Sequence, residues 1–86
     1  MRKRTIYDIY ADILIFLSVV GNARITRIAR FANLPVDRAK NILDKMYSIG
    51  LLRKREEKGA IFYYMTRRGY EYLSLYKRLK LLTGFD

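Results

Sequence analysis

One proline constrains this chain more than any other residue. The stretch FANLPVDRAKN, residues 31–41, holds the only Pro of the 86 residues, and apolar residues recur at helical spacing on both sides of it. Before it, Ile25, Ile28, Ala29 and Ala32 fall at i, i+3, i+4 and i+7; after it, Ala39, Ile42, Leu43, Met46 and Ile49 form a second apolar side. Asn33 tolerates the left-handed region, Leu34 is pushed out of the helical region by the proline that follows, and Pro35 suits a first helical position. The pattern predicts a helix over about 25–32 with Thr26 as its N-cap, a tight NLP turn with the leucine pointing inward, and a helix over about 35–49 stopped by Gly50. Two helices joined in this way make a helix-turn-helix.

The flanking segments complete a small domain. Ile6, Ile9, Tyr10, Ile13, Phe16, Leu17 and Val20 predict a first helix over about 5–20, and Tyr7, Leu14, Ile15 and Val19 make its opposite side apolar as well. Such a helix is usually buried on more than one side. Gly21 and Asn22 end it. LLRKRE and AIFYYM are β-prone runs joined by EKG, which predicts a hairpin over about 51–65. Thr66 is a fitting N-cap for a last helix over about 66–82. The expectation is one α+β, mostly α domain spanning residues 1–86, without repeats or linkers.

Charge narrows the choice of partner. Eighteen Lys and Arg oppose eight Asp and Glu, a formal net charge of +10, which points to polyphosphate. An anionic membrane surface is the lesser rival, because the cations are scattered over several elements and not gathered on one amphipathic helix. The longest apolar run, ILIFLSVV at 13–20, is too short to span a bilayer, and no cleavage site follows it, so a cytoplasmic, nucleoid-associated protein is expected. Lack of Cys and His removes the thiol nucleophile, the imidazole base and the zinc-finger type of metal site. No catalytic residue, metal, cofactor or small-molecule substrate is expected. Asp8 and Asp12 are read as surface carboxylates, with Arg4 placed four residues before Asp8 to pair with it. The absence of Gln beside abundant Ile, Arg and Tyr leans toward a thermophile source.

The helix after the proline carries the candidate site. Arg38, Asn41 and Lys45 share one stripe, with Lys40 beside it, opposite Ala39, Ile42 and Met46. Arg offers a bidentate fork to guanine and Asn one to adenine, while Lys and Arg also take phosphates. The competing account is a solvated face with an i, i+4 pair between Lys40 and Asp44. Arg53, Lys54, Arg55 and Lys58 tilt the balance, because four cations within six residues exceed what protection of an edge strand requires. Arg27, facing out from the shorter helix, is a flanking candidate.

With these residues in place the sequence resembles the small archaeal winged helix-turn-helix DNA-binding proteins, which include dimeric chromatin-associated and regulatory members. The marks are ANL in the turn, IGLL closing the longer helix and MTRRGYEYL leading into the last helix, together covering about residues 5–82. The resemblance implies a recognition helix bearing Arg38, Asn41 and Lys45 and a wing made by Arg53 to Lys58. Pro35 departs from the pattern, standing where a capping Ser or Thr is usual; Asp37 in the first turn compensates through the helix dipole.

Tyr72, Leu75, Leu79 and Leu82 fall at 3-4-3 spacing, a coiled-coil seam, while Tyr70, Leu73 and Tyr76 form a second strip suited to packing on the domain. A homodimer through the C-terminal helix is expected, with the first helix a second candidate for the interface. The resemblance implies antiparallel pairing of those helices. Three functions stay open: a transcription regulator on double-stranded DNA, a sequence-nonspecific chromatin binder, and a winged-helix module for protein or RNA. Tyr63 and Tyr64 are read as core and interface filling, with base stacking as the rival.

Overall fold

Thr5 opens the first helix with a reciprocal cap. Its hydroxyl accepts from the Asp8 backbone N–H, and the Asp8 carboxylate accepts from the Thr5 N–H at 2.8 Å. The computed structural model describes residues 4–83; residues 1–3 and 84–86, and with them the ends of the expected 1–86 domain, lie outside the described residues. Helix α1 (Ile6–Val20) is followed by a short strand β1 (Asn22–Ala23), α2 (Ile25–Ala32), α3 (Val36–Ser48), β2 (Leu52–Glu57), β3 (Ala60–Met65) and α4 (Arg67–Thr83). The fold is mostly helical, with an antiparallel sheet of order β1-β3-β2.

Helix α1 is the central element. Ile13, Leu14 and Leu17 are fully buried and meet Ile28 of α2, Leu43 and Met46 of α3, Tyr63 of β3 and Leu73 of α4 in one cluster. The all-round burial expected of α1 holds only in part, because Tyr7, Ile15 and Val19 are exposed. The expected Arg4–Asp8 pair is also corrected. Residue 4 precedes the helix, so helical i, i+4 geometry does not apply; Arg4 instead reaches Asp12 at 3.0 Å and the Ala32 carbonyl at 2.7 Å, while Asp8 caps α1 and accepts from the Tyr76 hydroxyl.

Two further corrections fall at helix starts. β1 was not foreseen; its pairing of Ala23 with Tyr63 holds the chain extended until residue 24, so α2 begins at Ile25 behind Arg24 and Thr26 lies within the helix. Pro35 precedes α3 as its N-cap, with ψ 148°, so the helix begins one residue later than expected and has no side-chain cap. The other punctuation is as read: Asn33 is left-handed at φ 60°, and the Thr66 hydroxyl accepts from the Gly69 N–H at 3.0 Å.

Rotation of α4 is set by Gly69. A Cβ there would come within 2.4 Å of the Leu51 carbonyl oxygen, so only glycine lets the helix approach this closely. The inward side therefore runs through Gly69, Leu73 and the half-buried Tyr72 and Tyr76. Tyr70, expected to pack on the domain, is instead exposed.

Candidate nucleic-acid interface

The corner between α2 and α3 directs the second helix outward. The Asn33 N–H donates to the carbonyls of Ala29 and Arg30, the Leu34 N–H donates to Ala29, and Leu34 packs against the core. Ala39, Ile42, Leu43 and Met46 then bury the inner side of α3, leaving Arg38, Asn41 and Lys45 exposed. At about 100° per residue these three lie within roughly 60° of one another, so they form one narrow stripe.

Lys40 lies on the other flank. Its ammonium contacts Asp44 at 2.9 Å, and that carboxylate, first by hydrogen bonding and second by charge, holds Lys40 above its ordinary pKa. The intrahelical pair weighed from the sequence is thus formed. The Tyr63 phenol senses the same two groups, although burial is the main cause that raises its pKa.

Strand alternation divides the hairpin cations between two faces. Lys54 turns toward α3, its ammonium 4.3 Å from the centre of the Tyr47 ring. Arg53 and Arg55 turn the other way and lie over Tyr64, 5.2 and 5.3 Å from its centroid. Arg55 also meets Glu57 at 3.3 Å. Lys58 and Gly59, with φ of 52° and 80°, form the tip as consecutive left-handed residues, the signature of a two-residue type I′ turn. Arg27 stands apart from this group, 5.4 Å over Phe16 of α1, whose ring stacks on Phe31.

Sequence reasoning missed Tyr47 and Tyr64 as partners of the cations. The available signal was register, since alternating R-K-R against consecutive tyrosines sorts the side chains into two sets once the strands pair. Tyr63 is buried and so offers no ring to a base. Among the described residues no group of three or more Asp, Glu, His or Cys comes together, and no helix is long and apolar enough to cross a membrane.

A sequence model described as winged helix-turn-helix matches residues 3–84. The chain belongs to the winged helix-turn-helix family. Its β2–β3 hairpin is the wing, and α2, the NLP corner and α3 are the helix-turn-helix. Among solved structures, this winged helix-turn-helix chain is similar to Sso10a-2, a DNA-binding protein from Sulfolobus solfataricus, with 22% identity, a TM-score of 0.79, and coverage of 95% of this chain and 83% of that one. It is also similar to Sco5413, a MarR family transcriptional regulator from Streptomyces coelicolor, at 20% identity and a TM-score of 0.76, covering 90% of this chain and 59% of that one. A third likeness is to YusO from Bacillus subtilis, at 15% identity and a TM-score of 0.75, covering 87% and 57% respectively. Sequence comparison with curated proteins finds no match.

The same winged fold leaves an apolar groove between α1 and α4. It has a volume of about 470 Å³ and is lined by Tyr7, Tyr72, Leu75, Tyr76 and Leu79 among others. Tyr72, expected in the outer seam, is turned toward α1: it packs edge-on against Tyr10 at 6.1 Å and donates to the Tyr7 carbonyl at 2.8 Å. Leu75, Leu79 and Leu82 remain exposed at 64%, 58% and 81%, joined by Leu81 at 82%.

Proposed function

We propose that this chain binds double-stranded DNA as a homodimer and acts as a non-catalytic transcription regulator in the cytoplasm, at the nucleoid. The observation that carries the reading is the exposed stripe of Arg38, Asn41 and Lys45 on α3, beside a wing whose Lys54 is seated on Tyr47 of the same helix. In this reading α3 enters the major groove, Arg38 and Asn41 read base edges, and Lys45 and the wing cations meet phosphates. Similarity to a DNA-binding protein and to a transcriptional regulator supports it.

Homodimerisation rests on α4. A row of exposed leucines beside an apolar groove is the kind of surface that pairs with a second copy. Sedimentation equilibrium at micromolar concentration should give twice the monomer mass, and a single species of monomer mass removes the dimer.

A second reading, general chromatin binding, is favoured by one observation. Between residues 36 and 59 seven cations meet four carboxylates, so much of the +10 lies away from α3 and the wing. Competition between selected and random duplexes separates the two, since a specific regulator prefers its site by about a thousandfold or more. Affinity should fall with log salt at a slope near −0.9 per phosphate neutralised, and a flat salt profile overturns nucleic-acid binding altogether.

A further inference from the structure

Tyr64 occupies the middle strand of the sheet. Its backbone pairs with Arg53 of β2 on one side and with Asn22 of β1 on the other, so two ladders hold the backbone that carries the ring. Arg53 and Arg55 project from the same face of β2 and both guanidinium groups lie within 5.3 Å of the one ring centroid, inside the range of cation–π attraction. Glu57 extends from that face too and brings a carboxylate oxygen to 3.3 Å from Arg55. An oxyanion thus already stands beside Arg55, and guanidinium forks take phosphate oxygens as readily as carboxylate oxygens.

We propose that Tyr64 is a positioning residue for a phosphate-binding pair, holding Arg53 and Arg55 side by side so that the wing receives the DNA backbone with both guanidinium groups already in place. The inference rests on the DNA-binding reading. It assigns the Tyr64 ring to the protein's own cations and not to base stacking. A free arginine on an exposed strand samples many rotamers and loses that freedom on binding; one lying on a ring has lost much of it beforehand. Lys54, on the opposite face against Tyr47, is outside the pair.

The test is a set of variants titrated with a mixed-sequence duplex over a salt series. Tyr64→Leu should weaken binding about threefold to tenfold, whereas Tyr64→Phe, which keeps the ring, should bind as the parent does. In an Arg53→Ala, Arg55→Ala background, Tyr64→Leu should change affinity by less than about 1.5-fold, because the groups it positions are gone. An unaltered affinity for Tyr64→Leu, or an equal loss in both backgrounds, overturns the assignment while leaving DNA binding intact. Absence of duplex binding by the parent protein at low salt overturns both. In the unaltered protein, ring-current shifts of the Arg53 and Arg55 side-chain protons are expected by NMR, and their absence sinks the proposal whether or not the leucine variant folds.

Discussion

The Lys54 ammonium of the wing sits 4.3 Å from the centre of the Tyr47 ring on α3, so hairpin and helix are joined at the surface as well as through the core. Replacing Tyr47 by Leu keeps apolar bulk and removes the cation's seat. Amide exchange in β2 should quicken, and duplex affinity should fall about twofold to fivefold from a cation–π contribution of about 0.5 to 1 kcal/mol. Exchange rates matching those of the parent would show that the contact does not hold the wing.

Arg38 and Asn41 should behave differently from Arg55. If the first two read bases, alanine at either costs about 1 to 3 kcal/mol and relaxes preference at one position, while Arg55→Ala weakens all sequences alike. Selection of duplexes from a random pool by each variant measures this. Equal, sequence-blind losses at all three favour the chromatin reading.

In the proposed complex Glu57 would compete with DNA phosphate for Arg55, which it contacts at 3.3 Å. An exposed pair of this kind is worth about 0.2 to 1 kcal/mol, so Glu57→Gln should raise affinity about 1.4-fold to fivefold at low salt. The gain should shrink as salt screens the pair. A loss of affinity in isothermal titration would contradict this.

Gly69→Ala should destabilise the fold although alanine is the better helix former. The added methyl meets the Leu51 carbonyl at 2.4 Å and Leu14 at 3.1 Å, and overpacking of this kind costs about 1 to 3 kcal/mol. The melting temperature should drop by about 4 to 8 °C per kcal/mol lost. A higher melting temperature would mean that the helix moves away without penalty.

Alkaline unfolding should follow the buried phenols. Burial first, then the neighbouring Tyr10, pushes the Tyr72 hydroxyl up to about 12 from its ordinary 10.0, and burial raises Tyr10 and Tyr63 as well. The folded state holds these protons more tightly than the unfolded chain does. Their stabilisation is therefore complete below about pH 10 and is lost as pH climbs toward 12. Urea midpoints should stay level up to about pH 9 and then fall, and Tyr72→Phe should make the fall shallower.

The helices were legible because their signals are local. The period of Ile25, Ile28, Ala29 and Ala32, the left-handed tolerance of Asn33 and the cap at Thr66 each act within one or two turns of chain. β1 was not legible, since two residues carry no period and Ala23 becomes a strand only because Tyr63 lies opposite it. Thr26 was misplaced for the same reason. The roles of Tyr70 and Tyr72 depended on how far α4 is rotated, and that rotation is decided by a contact between Gly69 and Leu51; a glycine inside a helical pattern was the available hint. In the candidate site, the Arg38, Asn41 and Lys45 stripe follows from helical period alone. The division of the wing cations required the register of β2 against β3.

The Thr66 hydroxyl donates to the Gly50 carbonyl at 2.6 Å while it accepts from the Gly69 N–H, and the Thr66 N–H donates to Leu51 at 3.1 Å. The end of α3 and the beginning of α4 are thereby locked to each other. In the proposed dimer this lock would carry any shift of α4 directly to α3, so the spacing of the two α3 helices, and with it the half-site spacing that fits without bending the DNA, would be set by how the two α4 helices meet.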